Sequence, residues 1–386
     1  MKGKLYRSVV LLVLLALSVA VAGCDNVTPT PAPVGPTATA PIVGETGTAT
    51  PAPPAAMTKV TIALGYIPDV QFAPFYLALN KGYYKDEGLD VTLRNGIVPD
   101  LIKELGQGEN GVNFAVVSGD EVIPARLQGV PVKYVMTWYR QYPVAAVSIS
   151  GKGPTLTTPA DLKGRKIGVP GPYGSTYVGL LALLSAGGLT QADIQMESIG
   201  FTQVASLTAG QVDAAMVYAA NEPTQLGSQG VTVSTLKVAD FVQLASNGLA
   251  TNDKTLTDNP ELVGKVVRAT LRAIQDTIAD PQAAFDSSLT QVPEAGGDNA
   301  KLQLQILQET VKLMQDKPAV TASDSAAAPD ANAATGSKPG ATVPYAGWID
   351  KDVWSSTQDL LFDAKLITAK GDVTEMFTNQ FVQRTP

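Results

Sequence analysis

The sequence predicts an α/β chain of two lobes, joined by two crossovers, with a ligand cleft between them. Three observations predict it. Strand and helix patterns alternate from Lys59 to Gln128, and the alternation restarts at Thr158 and runs to Tyr218. Strand-like segments then return before helical patterns take over the rest of the chain. Finally, the first strand-to-helix turn, Gly65 to Tyr76, holds four aromatic rings and two hydrogen-bonding side chains, more than a connection needs. Alternating strands and helices build parallel sheets with covering helices, and turns at the carboxyl edge of such sheets are where ligands sit. The expected boundaries are 58–148 with 243–386 for the first lobe and 149–242 for the second.

In chain order, Met1 to Arg7 carries three basic residues, and the apolar run Val9 to Ala22 ends in Val21-Ala22-Gly23-Cys24. A basic start, a short apolar stretch and a small-residue cleavage site read as an export signal over 1–23, too short to span a bilayer comfortably. Residues 24–57 are mostly Thr, Pro, Ala, Gly and Val in low-complexity order. They hold too little large apolar surface to offset ordering entropy, so they read as a disordered tether.

Lys59 to Leu64 alternates polar and apolar residues as a half-buried strand, and Tyr76 to Gly82 reads as a short helix closed by glycine. Leu89 to Leu93 is a second strand, Pro99 to Leu105 a helix and Val112 to Val117 a buried strand. Ser118-Gly119-Asp120 caps the helix Glu121 to Gln128. Val132 to Trp138 and Val144 to Ser150 are two further strands. The second cycle opens on a short helix with Thr158 as N-cap and Pro159 at its first position. A strand to Val169, a helix from Val178 to Ala186, a strand from Ile194 to Ile199, a helix from Phe201 to Ala209 and a strand from Val212 to Tyr218 follow. Val242 to Ala245 and Gly248 to Thr251 look like strands crossing back. Helices are expected from Asn259-Pro260 to about Asp280, from Asp298 to Gln315, and from Asp350 to Lys365, the last with an apolar face of Trp354, Leu360, Leu361 and Leu366. Residues 319–340 are low in complexity and read as a surface insertion.

Composition narrows the function. The chain has 28 Lys+Arg against 35 Asp+Glu, a formal net charge of −7, no histidine and one cysteine. An acidic balance without a basic stripe argues against a nucleic-acid partner. Without histidine the usual general base and the usual transition-metal ligand are missing. An enzyme would have to use Asp, Glu, Lys or Tyr, and no nucleophile-base pair stands out. No catalytic residue, metal site or cofactor is expected.

The cleft candidates come from the segments that follow strands. Tyr66, directly after the first strand, suits stacking on a planar ligand, a contact worth about 1 kcal/mol beyond area burial. Asp69 and Gln71 are turn formers or acceptors for ring NH and hydroxyl groups, and Phe72, Phe75 and Tyr76 fit either core or cleft. Ser118 is first a helix cap, with free amides at the same edge. Trp138, Tyr139 and Tyr142 flank the expected first crossover. In the second lobe Tyr173, Gly174, Ser175 and Thr176 place glycine and hydroxyls before a helix. That segment is no phosphate loop, because GxxxxGK[ST] is absent. Tyr218, Asn221 and Glu222 close the set near the return crossover, where they bond a ligand or only fix the hinge. Arg140 is the one cation in these segments, against Asp69 and Glu222. A neutral, planar, polyhydroxylated molecule suits them better than an anion.

Four segments in order resemble one family: Gly65-Tyr66-Ile67-Pro68-Asp69 with Phe75-Tyr76-Leu77-Ala78, then Gly82 to Val91, Asp161 to Val169, and Gly210 to Ala215. They are similar to ABC-transporter solute-binding proteins related to the thiamine-pyrimidine synthases and to sulfonate and nitrate binders. The resemblance covers nearly the whole mature domain and implies a two-lobed periplasmic-binding-protein-like fold of type II. Val-Ala-Gly before Cys24 resembles a bacterial lipobox, which implies a lipidated Cys24, a membrane anchor and an extracytoplasmic place at the cell membrane. Members that handle the thiamine pyrimidine carry Pro-Asn-x-x-His in the first turn, the histidine being essential in the synthases. Here those positions are Asp69 and Phe72, which argues against synthase chemistry. The wording of the turn looks most like the riboflavin-binding components of the family. It implies a monomeric carrier of riboflavin, bound as cargo and not as a cofactor, that serves a permease and an ATPase. A thiamine pyrimidine precursor or a sulfonate is the alternative cargo, and a surface hydrolase or transferase the alternative of another class.

Overall fold

The computed structural model describes residues 56–315 and 347–382. The leader, Cys24, nearly all of the tether and the 319–340 insertion lie outside the described residues. Two five-stranded mixed sheets organise what is described. The first takes β1 (Thr58–Leu64), β2 (Leu89–Asn95), β3 (Val112–Ser118), β4 (Val132–Thr137) and, from much later in the chain, β10 (Asn247–Asn252). The second takes β5 (Val144–Ile149), β6 (Lys166–Val169), β7 (Gln195–Ser198), β8 (Ala214–Tyr218) and β9 (Val233–Lys237). Their orders are β2-β1-β3-β10-β4 and β7-β6-β8-β5-β9.

Each sheet borrows one strand through a crossover. β10, returning from the second lobe, runs antiparallel to both β3 and β4, and β5, arriving from the first, runs antiparallel to both β8 and β9. The boundary expected at 148 is therefore corrected: β5 belongs to the second sheet, and the first crossover is the stretch 138–143. A wholly buried strand such as β5 (VAAVSI) carries no alternation that assigns it to one sheet or the other. The return crossover is 238–246, and the two are bonded to each other, Ser246 Oγ donating to Gln141 O at 3.2 Å.

Three further expectations change. Val242 to Ala245 is not a strand; the Ala245 amide donates to Thr357 Oγ1 at 2.8 Å, and the edge place in the second sheet is taken by β9. A helix, Glu222–Ser228, follows β8, with Pro223 in its first turn, where a missing N–H costs nothing. The helix after β6 starts at Gly174, four residues before the expected Val178. Gly174 has φ 72°, a left-handed conformation that lets the chain turn sharply into the helix.

Apolar faces hold the helices to the sheets. The helix Pro260–Ala279 is capped by Asn259, which accepts from the Leu262 amide at 3.1 Å, and it buries Val263, Val266, Val267 and Ile274 against the helix Ala73–Asn80. In the helix Lys351–Asp363, Trp354 and Leu361 are buried, with Leu360 and Leu366 packed partly buried beside them. Trp354 meets Tyr134 edge-on, centroids 5.2 Å apart, and so joins this helix to β4. Among the described residues no helix is long and apolar enough to cross a membrane.

Candidate functional site

Residues at or after the carboxyl ends of β1, β2, β6, β7 and β8, with the first crossover, line one cleft of about 330 Å³. Of the residues expected there, Tyr66, Gln71, Phe72, Trp138 and Tyr139 line it from the first lobe and crossover, and Tyr173, Gly174, Ser175, Thr176, Tyr218, Asn221 and Glu222 from the second. Loops after successive strands converge at one sheet edge, so residues far apart in sequence share the wall.

Two expected wall residues stand elsewhere, and both are caps. Asp69 accepts from the Gln71 amide at 2.8 Å and starts the single turn Val70–Phe72. Its role is to hold Gln71 and Phe72 in place. Ser118 is buried at the start of the helix Gly119–Leu127, and its hydroxyl donates to Ala245 O at 3.2 Å, tying that helix to the return crossover. Phe75 and Tyr76, open between core and cleft in the sequence, are buried core residues. Arg140 does not line the cleft; its amide donates to Leu313 O at 2.7 Å.

Aromatic rings build the floor. Phe72 stacks on Trp138 with centroids 5.8 Å apart, Tyr139 lies against Trp138 at 4.1 Å, and Phe75 meets it edge-on at 5.3 Å from behind. At the mouth, Ile67 and Ile97 of the first lobe and Tyr173 and Phe201 of the second are large apolar side chains 46–58% exposed. Tyr66 and Phe201 touch across the mouth, edge to face, at 5.4 Å.

Sequence reasoning missed Asn95 to Pro99, Glu121, Phe201, Gln203 and Asn247, all of which line the cleft. The Asn95 and Phe201 segments carry a signal that was available, since each follows a strand. Glu121 and Asn247 carried none: one is the third residue of a helix and the other opens a returning strand.

Among the described residues lining the cleft there is no lysine or arginine, while Glu121 and Glu222 both face it. Burial, with the charge of Asp69 adding to it, pushes Glu222 up to about 7. Burial and the neighbouring Asp120 raise Glu121 as well. Burial, helped by Glu222 and Asp69, pushes the Tyr66 hydroxyl up to about 12, so it stays neutral. Uncharged hydroxyls and carboxyls can donate hydrogen bonds as well as accept them. Three lining residues each bury a polar atom that has no hydrogen-bond partner within the protein: Gln71 Oε1, Trp138 Nε1 and Asn247 Oδ1. Such a cleft can hold a flat ring on its floor and satisfy polar groups around the edge of that ring.

Behind the cleft a buried cluster joins the lobes. Asp120, at the start of the first-lobe helix Gly119–Leu127, accepts from Tyr142 Oη of the crossover at 2.9 Å and from Ser175 Oγ of the second lobe at 3.3 Å. Tyr142 Oη is also 2.9 Å from Ser175 O, and the Asp120 amide donates to Ala245 O in the return crossover at 3.3 Å. Both crossovers and both lobes meet at this one residue, the first crossover and the second lobe at its carboxylate and the return crossover at its amide.

Comparison with known proteins places these features in context. The family model described as NMT1/THI5 like matches residues 69–284. The chain is 40% identical over 349 residues to the riboflavin-binding protein RibY of Chloroflexus aurantiacus, covering 90% of this chain and 92% of that one. It is 26% identical to the 4-amino-5-hydroxymethyl-2-methylpyrimidine phosphate synthase THI13 of Saccharomyces cerevisiae, over 64% of this chain and 75% of that one. Among solved structures, the alkanesulfonate-binding protein SsuA from Xanthomonas axonopodis pv. citri superposes with a TM-score of 0.62 at 17% identity, covering 84% of this chain and 99% of that one. At that identity the likeness shows the fold, the two-lobed arrangement of periplasmic binding proteins.

Proposed function

This chain belongs to the NMT1/THI5-like family, and on that premise we propose that it is the extracytoplasmic binding component of an ABC importer, closing its lobes on riboflavin and delivering it to a permease. Riboflavin is cargo here and not a cofactor. The tether and a lipidated Cys24 hold the domain, as a monomer, at the outer face of the cell membrane, and a separate ATPase supplies the energy. One observation carries the choice of ligand: an aromatic floor of Phe72, Trp138 and Tyr139 under a rim of hydrogen-bonding groups, with no cation among the described lining residues. The isoalloxazine ring suits the floor, and the ribityl hydroxyls suit Ser175, Thr176 and Asn221. A sulfonate placed in this cleft would sit beside Glu121 and Glu222 without a compensating charge, which is costly in a desolvated site.

Synthase chemistry is disfavoured on the position that those enzymes give to a histidine. Here it is Phe72, whose ring is committed to stacking on Trp138. The likeness to RibY over most of both chains points the same way. Titration of the purified domain with riboflavin is expected to quench flavin fluorescence saturably, as stacking on tryptophan and tyrosine does. A flat titration at micromolar flavin, together with a thermal shift from a thiamine pyrimidine precursor or an alkanesulfonate, would overturn the assignment.

A further inference from the structure

Asn221 stands at the N-cap of the helix Glu222–Ser228, where an asparagine oxygen ordinarily accepts from an amide of the first turn. Here its side chain makes no such bond. Asn221 Oδ1 accepts instead from Nε2 of Gln225, one helical turn on, at 2.7 Å. The backbone on either side is pinned as well, the Asn221 amide donating to Tyr218 O at 2.9 Å and the Gln225 amide to Asn221 O at 3.0 Å. With its oxygen taken, the side-chain amide of Asn221 is held one way round. Nδ2 has no hydrogen-bond partner among the described residues and, unlike Gln71 Oε1, is not closed off from solvent. Asn221 lines the cleft and is only 7% exposed, so the space on which Nδ2 opens is the cleft. Gln225 is half-buried and stands behind that wall, outside the lining.

We infer that Gln225 is a positioning residue: it holds the Asn221 amide so that Nδ2–H donates to a ribityl hydroxyl of the bound flavin. This rests on the riboflavin reading. A hydroxyl can accept and donate at once. One that accepts from Asn221 keeps its own proton for a neighbouring acceptor, and Glu222, next in the chain, lines the same wall. Residues 221 and 222 thus offer one donor and one acceptor to a single alcohol. Two acceptors in that place would compete for one proton, which is why the sense of the Asn221 amide matters. The cap bond that Asn221 forgoes is ordinarily favourable to a helix, and a local rule broken in this way is expected at a functional site.

The test measures the affinities of riboflavin and of lumiflavin, which has the ring without the ribityl chain. The proteins are wild type, Gln225→Leu, Gln225→Glu, Asn221→Ala and the double variant Gln225→Leu with Asn221→Ala. Gln225→Leu is expected to weaken riboflavin by about three- to tenfold, the range of one hydrogen bond, and to leave lumiflavin unchanged. Beside Asn221→Ala the same change has no further effect, because Gln225 acts only through Asn221. Gln225→Glu keeps the shape and a bond to Asn221, but a carboxylate only accepts, so it draws Nδ2 and turns Asn221 Oδ1 to the cleft. It is expected to weaken riboflavin as Gln225→Leu does while the ligand-free melting temperature holds, whereas a merely structural Gln225 would be rescued by it. Riboflavin bound by Gln225→Glu as by wild type, a Gln225→Leu loss that persists beside Asn221→Ala, or lumiflavin weakened in step with riboflavin would each overturn the assignment. A wild-type protein that ignores riboflavin altogether removes the functional reading, and this one with it; that result is read before any variant is made.

Discussion

At the residue scale the cleft is governed by carboxyl groups that burial pushes above the ordinary carboxyl range. Glu222 opens the helix Glu222–Ser228, and its Oε2 accepts from the Tyr218 amide at 3.1 Å. Its pKa rises to about 7 because it is desolvated and because Asp69 is near. The folded chain therefore keeps a proton there that the unfolded chain releases at the ordinary glutamate value. The sign follows: this contribution to stability is whole below the unfolded value and is lost as pH rises through about 7. Denaturant unfolding of wild type at pH 5 and pH 8 is expected to show such a loss, and Glu222→Gln, of the same shape, should lose less by about 1–3 kcal/mol. Identical losses in both proteins would mean that Glu222 ionises freely. Asp120 and Glu121, raised by burial in the same direction, leave a residual slope in the variant.

At the scale of elements, the two borrowed strands make the cleft possible, and β10 is the more tightly constrained of them. It lies between β3 and β4, and a Cβ at Gly248 would fall on Met136 O and on the Tyr134 hydroxyl. Backbone oxygen cannot move aside without breaking the ladder. Tyr134 in turn donates to Ser246 O at 2.9 Å, in the return crossover. Gly248→Ala is expected to destabilise the fold by about 1–3 kcal/mol, read as a lower denaturant midpoint. An unchanged midpoint would show that β4 yields easily. Caps act at the same scale. Asp69 and Ser118, open between cap and ligand group in the sequence, each spend their oxygen on the backbone of the next turn or of the crossover.

At the scale of the molecule, the Asp120, Tyr142 and Ser175 cluster ties the two lobes together behind the cleft, and the proposed function has them close over the ligand at the mouth. Tyr66 and Phe201 meet there edge to face, a pair worth about 0.5–1.5 kcal/mol. A contact between the two lobes at the mouth is broken when they part, and on the proposed function it holds the ligand in. Phe201→Ala is expected to raise the riboflavin dissociation rate by about two- to tenfold in stopped-flow measurements, with little change in the association rate. A slower association with unchanged release would place Phe201 on the entry path instead.

Much of this was readable in the linear chain. Alternating patterns marked two α/β lobes, and twelve of the fourteen expected ligand-facing residues line the cleft, because a residue just after a strand lies at the sheet edge wherever that sheet is. Local spacing carries that kind of information. Pairing does not follow from spacing: β5, uniformly apolar, gave no hint that it joins the second sheet, and Val242 to Ala245 had the composition of a strand without a place in one. Nor could the chain decide between turn former and ligand group for Asp69, or show that Glu121 and Asn247 reach the wall. Which side chain finds a partner and which is left facing the ligand depends on neighbours distant in sequence, and those neighbours meet only when both lobes are assembled.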